Sequence, residues 1–150
     1  MSARENILNA IARNQPKLID VPVIDQNVII RYEDKYAQFK TVLESIGGQT
    51  ELISDVAILK KQLIADKQSG DFVVNAIEEL GDIDNQIAEF TAFELEKIEK
   101  AYIKGTVGVA ENGAVWVFES QMINRLVPFI CQHLILVIAK KDIVDTLNQA

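Results

Sequence analysis

Cysteine and histidine are almost missing from this chain, which has one of each, Cys131 and His133, in 150 residues. A lone cysteine excludes an internal disulfide. One Cys and one His are too few to hold zinc or an iron–sulfur cluster unaided. No cofactor is therefore expected on the chain itself. Basic residues are also scarce, 15 Lys and Arg against 22 Asp and Glu, giving a net charge of −7. The basic positions gather only as pairs, Lys60-Lys61 and Lys140-Lys141. A phosphate-binding surface needs a basic stripe, so neither nucleic acid nor an anionic membrane is expected as a partner. The longest apolar run, 134–139, falls far short of the roughly 20 residues that cross a bilayer. The opening Met1-Ser2-Ala3-Arg4-Glu5 leads into a mixed polar segment rather than a signal peptide's apolar core. A cytoplasmic location is the resulting expectation. Gly105-Thr106-Val107-Gly108 lacks both the Walker lysine and the Rossmann glycine spacing.

What is present suits one folded domain. Hydrophobic residues make up 49% and charged residues 25%, ordinary values for a protein with a packed core. Ser2, with Glu5 three residues on, predicts a capped helix whose Ile7, Leu8 and Ile11 share a face, ended by Pro16. Residues 17–30 carry Pro22 and β-branched side chains and read as an extended crossing. A second helix is predicted over 33–46, with Tyr36, Phe39, Leu43 and Ile46 as its inner stripe and Gly47-Gly48 as its stop. Residues 50–53 read as a short strand. Ser54-Asp55 caps a third helix with Val56, Leu59 and Leu63 inside. Gly70-Asp71 turns the chain into a strand at Phe72-Val73-Val74. The alternation predicts an α/β fold with a mostly parallel sheet and flanking helices.

Residues 77–98 are acidic and read as a solvated connection with one or two helical turns. Their spacing lacks a calcium loop's alternating Asp/Asn and closing Glu. From Ala101 the composition turns to strand. Asn112-Gly113 between β-rich runs is a strong hairpin signal, because both residues tolerate positive φ. Residues 133–139 read as a strand in the middle of a covered sheet. Asp142 then caps an expected last helix with Ile143, Val144 and Leu147 inward.

The candidates for chemistry are few. Glu111 places a carboxylate beside a tight turn with exposed backbone amides, a corner that can offer acceptor and donors to a small ligand. If burial raised its pKa it could serve as nucleophile or general base; otherwise the segment is a plain hairpin. Arg125 is either a carboxylate- or phosphate-binding fork or a surface arginine. His133 opens its strand, at the amino end, whereas open α/β sheets hold ligands at the carboxyl ends. Cys131 reads as a small core residue and Trp116 as core or interface packing.

The segment from Val109 through Ala110, Glu111, Asn112, Gly113 and Ala114 to Val115 resembles the Ala-Glu-x-Gly-Thr signature of the LUD family, of the lactate-utilisation protein C type. Arg125, Pro128 and the apolar run after His133 resemble that family's Arg…Pro…His pattern, and Asp142, Ile143, Val144 and Leu147 resemble the start of its next helix. The opening Ser2 to Leu8 stretch is similar to its first helix. The likeness is specific over residues 105–147. It implies a three-layer α/β fold like that of sugar-phosphate isomerases and CoA transferases. It further implies a subunit of a system oxidising L-lactate to pyruvate, with iron–sulfur clusters on partner proteins and a small carboxylate as possible ligand. Glu111 would be the polar anchor, Asn112 and Gly113 would shape the turn, Arg125 would pair with an anion, and His133 would assist. Two positions depart from the pattern. Ala114 stands where the family has threonine, and the chain stops at Ala150 before a Gly-Pro-Ser…Thr…Asp-Ile-Glu segment usual in the family. That segment is therefore expected to be missing from the 1–150 domain. Ala110-Glu111-Asn112-Gly113 is also similar to the Ser-Glu-Asn-Gly motif of CoA transferases, which implies a rival role for Glu111 as an acyl-forming nucleophile in a stand-alone enzyme.

Overall fold

A computed structural model describes residues 2–20, 25 and 28–150. Three strands form a parallel sheet in the order β1 (Phe72–Asn75), β2 (Ile98–Lys104) and β5 (His133–Val137). Tyr102 on β2 lies between Asn75 of β1 and Ile135 of β5. Successive side chains on a strand point to opposite faces, and both faces here are covered. Val74, Ala101 and Ile103 pack with Ile87, Leu95 and Val127. Val73 and Tyr102 pack with Leu63, Ile77 and Leu80. The protein is thus α/β, with α3 (Val56–Gln68) and the 77–80 turn on one face, and α4 (Ala92–Leu95) and α5 (Val127–Ile130) on the other.

A second sheet runs β4 (Val115–Trp116), β3 (Val107–Val109) and β6 (Ile143–Val144). β3 is antiparallel to β4 and parallel to β6. Helix α2 (Lys35–Ser45) covers it through Phe39, which meets Ala110 and Ile143. Gly108 permits this approach, since a Cβ there would fall 2.7 Å from Ile138 Cδ1 and 3.4 Å from the Phe39 ring.

The acidic stretch does form helical turns, at Glu78–Leu80, Asn85–Ile87 and α4. It is more than a solvated connection, because Ile77, Leu80, Ile87 and Leu95 are buried and supply core to both faces. Fully buried Asn75 holds the loop. Its Nδ2 donates to the carbonyls of Ile77 (3.0 Å) and Asp82 (3.1 Å), and its Oδ1 accepts from the Ile77 N–H (3.0 Å). Asp84 Oδ2 accepts from the Asn75 N–H at 2.7 Å and pairs with Lys67 at 2.9 Å.

Several expectations change. Residues 50–53 form no strand. Strand β5 is at a sheet edge, not the middle, because β2 takes the central place between two parallel neighbours. The expected last helix is instead strand β6 followed by a 3₁₀ turn at Leu147–Gln149. Ile143 and Val144 are β-branched, and β3 offers them a free edge. Helix α1 (Ala3–Arg13) has its predicted capping box, but Ile7, Leu8 and Ile11 are 61%, 55% and 54% exposed. Ile46, expected inside, is exposed. Of the predicted crossing at 17–30, residues 21–24, 26 and 27, with Pro22, lie outside the described residues. No helix among the described residues is long and apolar enough to cross a membrane.

Candidate functional site

The Asn-Gly corner closes as the sequence predicts. Val109 N–H donates to the Ala114 carbonyl at 2.8 Å, and Gly113 N–H to the Val109 carbonyl at 2.9 Å. Asn112 Oδ1 accepts from the Ala114 N–H at 3.0 Å, the short-range bond that makes Asn favourable in turns. Gly113 has φ +71°, and a Cβ there would lie 3.3 Å from the Leu43 backbone of α2. Two penalties coincide, so Gly113→Ala is expected to cost about 1–2 kcal/mol from the left-handed conformation alone. A chemical-denaturation midpoint indistinguishable from wild type would contradict this.

Long-range contacts fasten the corner to the chain's last segment. The Ala110 N–H donates to the Val144 carbonyl at 2.9 Å and the Glu111 N–H to the Asp145 carbonyl at 3.0 Å. Exposed Glu111 folds back, and its Oε2 accepts from the Leu147 N–H at 3.2 Å. Thr146 lies between these two anchors. Its hydroxyl oxygen is buried and has no hydrogen-bond partner among the described residues, which is uncommon for a buried polar atom. Asp145 Oδ1 accepts from the Tyr32 N–H at 2.8 Å, which ties in the chain leading to α2.

Arg125 and His133 sit elsewhere. Arg125 lines a polar hollow of about 330 Å³ with Glu89, Glu119, Ile123 and Asn124. No ion pair to Arg125 occurs among the described residues. Two carboxylates in the same hollow offset its charge, so the hollow is not built for an anion. Ile123 has φ +51°, a conformation rare for a β-branched residue. It is held by core packing and by Asn124, whose Nδ2 donates to the carbonyls of Ile87, Ala88 and Phe90 at 3.0–3.2 Å. Exposed His133 places Nε2 at 3.5 Å from Glu99 at the sheet edge and is not among the residues lining the Arg125 hollow. Cys131 closes α5, packs against the core, and has its thiol pushed upward by burial, away from a reactive thiolate. The structure therefore unites Glu111, Asn112 and Gly113 with residues 143–147, and leaves Arg125 and His133 outside that group.

A second polar cluster went unread in the sequence. Asp66, buried on α3, accepts from Tyr102 Oη at 2.5 Å, Lys100 Nζ at 2.8 Å and Gln62 Nε2 at 3.0 Å. Burial pushes the Asp66 carboxyl up, but the hydrogen bonds from Lys100, Tyr102 and Gln62 outweigh it and hold the group below its ordinary range. Burial first, and then the Asp66 bond, raise the Tyr102 phenol and keep it protonated. The signal was present: Leu59, Leu63 and Asp66 share one helix stripe, so a carboxylate occupies a core position. Among the described residues, no three His, Cys, Asp or Glu side chains converge as metal ligands would.

No known protein family, curated protein or solved structure matches the chain.

Proposed function

We propose that the chain is a LUD-type lactate-utilisation subunit, working in an L-lactate-to-pyruvate oxidising system whose iron–sulfur clusters sit on partner proteins. One observation supports this most. The Ala110–Val115 corner, which carries the LUD-like signature, is held by β3–β6 pairing and the Glu111–Leu147 bond, with Ile143 and Val144 in a strand where the likeness implied a helix. The parallel sheet covered on both faces is compatible with the sugar-phosphate isomerase and CoA transferase architecture that the likeness implies.

The acyl-transfer reading has less support. A nucleophilic carboxylate works in a site that holds substrate and excludes water. Glu111 is exposed and gives one oxygen to a backbone amide.

The test is genetic. A host strain lacking this chain is expected to lose growth on L-lactate as sole carbon source. Wild type should restore growth, whereas Glu111→Gln should not, although an exposed substitution of this kind changes stability by about 0.5 kcal/mol or less. Undiminished growth of the deletion strain would overturn the proposed function. Full rescue by Glu111→Gln would overturn the assignment of Glu111.

A further inference from the structure

Asn112-Gly113 is the only Asn-Gly pair in the sequence, and the structure leaves Asn112 exposed. The amide carbon of an asparagine is an electrophile. The main-chain nitrogen of the next residue can attack it and close a five-membered ring. Glycine hinders this attack least, because it has no Cβ. Every other asparagine of the chain is followed by a residue with a side chain.

Two hydrogen bonds act on this pair in opposite directions. The Ala114 N–H donates to Asn112 Oδ1 at 3.0 Å. That bond draws charge from the amide carbon and would steady the oxyanion that forms on attack. The Gly113 N–H donates to the Val109 carbonyl at 2.9 Å, which commits the attacking nitrogen to the corner's own main chain. The second bond lasts only while the corner is closed. It is closed by the bond from Val109 to Ala114 and by those from Ala110 and Glu111 to Val144 and Asp145. An exposed turn held by so few bonds opens locally, at a smaller cost than global unfolding.

We propose that Asn112 is a self-modification site of the native chain, deamidating when the corner opens and the Gly113–Val109 bond is released. The Gly113 nitrogen attacks Asn112 Cγ and gives its proton to water, the Cγ–Nδ2 bond breaks, and ammonia leaves. Water then opens the cyclic imide at either carbonyl, which yields aspartate or isoaspartate. The net change is one water taken up and one ammonia released, with no oxidant or cofactor. Isoaspartate routes the main chain through the side-chain carbon, lengthening it by a methylene and adding a carboxylate beside Glu111. The corner has little room for this. Gly113 is buried at φ +71°, and a Cβ on it would stand 3.3 Å from the Leu43 backbone. Modification therefore weakens the packing of the corner on α2 and the anchoring of Glu111. The proposal is independent of any part in lactate utilisation.

The full chain is incubated in mildly alkaline buffer, folded and in guanidinium chloride, and the peptide spanning Asn112 is followed by mass spectrometry. Isoaspartate is counted by enzymatic methylation of its carboxylate. Opening is fast relative to ring closure, so the folded rate equals the unfolded rate multiplied by the open population. The folded chain is expected to deamidate roughly ten- to a thousandfold more slowly than the unfolded one. A smaller ratio overturns the control by the Gly113–Val109 bond, and a larger one overturns Asn112 as a site in the native chain. Asn112→Gln should remove the signal from this peptide, and a signal that persists overturns the residue assignment. Modified chain, separated by its extra negative charge, should melt at least about 2 °C below the unmodified chain. An unchanged melting temperature overturns the loss of corner packing.

Discussion

Asn75→Ala is expected to destabilise the protein by about 2–4 kcal/mol, because it leaves several buried backbone groups without partners at once. Asn75 is fully buried and uses both ends of its amide, donating to the Ile77 and Asp82 carbonyls and accepting from the Ile77 N–H. Alanine removes all of these and leaves a void where the amide stood. The loss should fall first on residues 77–87, whose Ile77, Leu80 and Ile87 are core on opposite faces of the main sheet. For a chain of this length, roughly 2–4 °C of melting temperature goes with each kcal/mol. Thermal unfolding therefore reads the effect directly, and amide hydrogen exchange should show the 77–87 segment opening ahead of β2. Asn75→Asp is a useful companion, since it keeps the acceptor and loses the donors. A melting temperature within a degree or two of wild type for Asn75→Ala would show that the loop is held by its apolar contacts alone.

Asp66→Ala is expected to cost a similar amount at neutral pH, about 2–4 kcal/mol, for a different reason. It strands the Tyr102 hydroxyl, which is 1% exposed, and takes the counter-ion from Lys100. The companion change Tyr102→Phe removes one hydrogen bond and should cost about 1–2 kcal/mol alone. In the Asp66→Ala background it should cost much less, because the hydroxyl there already lacks its partner. Additive losses in this double-mutant cycle would break the claimed coupling.

The pH dependence follows from the same cluster. The folded-state pKa of Asp66 lies below its unfolded value of 3.8. Its stabilisation is therefore present above that value and is lost as pH falls through the lower, folded one. Lys100 moves the other way: its hydrogen bond to Asp66 raises it above 10.5. Its share is complete below that value and disappears as pH rises through the raised one. Wild type should thus lose stability from this pair below about pH 4 and above about pH 10.5. Asp66→Ala should flatten the acid limb and lessen the alkaline one, where the burial of the Tyr102 phenol still acts. Denaturant titrations across pH on the two proteins compare the slopes, and parallel slopes would contradict the assignment.

Much of the local structure was legible because its causes are local. Ser2 with Glu5 and Asp55 with Ala57 form caps that involve neighbours in sequence. Gly47 and Gly70 take positive φ where glycine ended a helix or made a turn. Asn112 and Gly113 close the hairpin within one turn. Other features depended on partners far along the chain. Ile143 and Val144 suit a helix start or a strand, and pairing with β3 decided for strand. The apolar run opening at His133 suits a central strand, but β2 became central because β1 and β5 both pair with it. The stripe of α1 looks like core, yet none of the described residues buries it.

The candidate site divides in the same way. The sequence alone determined the corner, its carboxylate Glu111 and the turn residues Asn112 and Gly113, since these rest on spacings of one to three residues. It also determined an acidic chain with a single cysteine and a single histidine. Only the tertiary structure decided that Glu111 is joined to Asp145 and Leu147 while Arg125 and His133 lie outside that group. It alone made Asp66, Asn75 and Asn124 the polar fasteners of the fold. The reason is physical. Turn and cap energies depend on backbone angles and neighbours that a short segment carries with it. Which polar atoms share a buried space depends on how sheets and helices pack, and that packing is set by the whole chain at once.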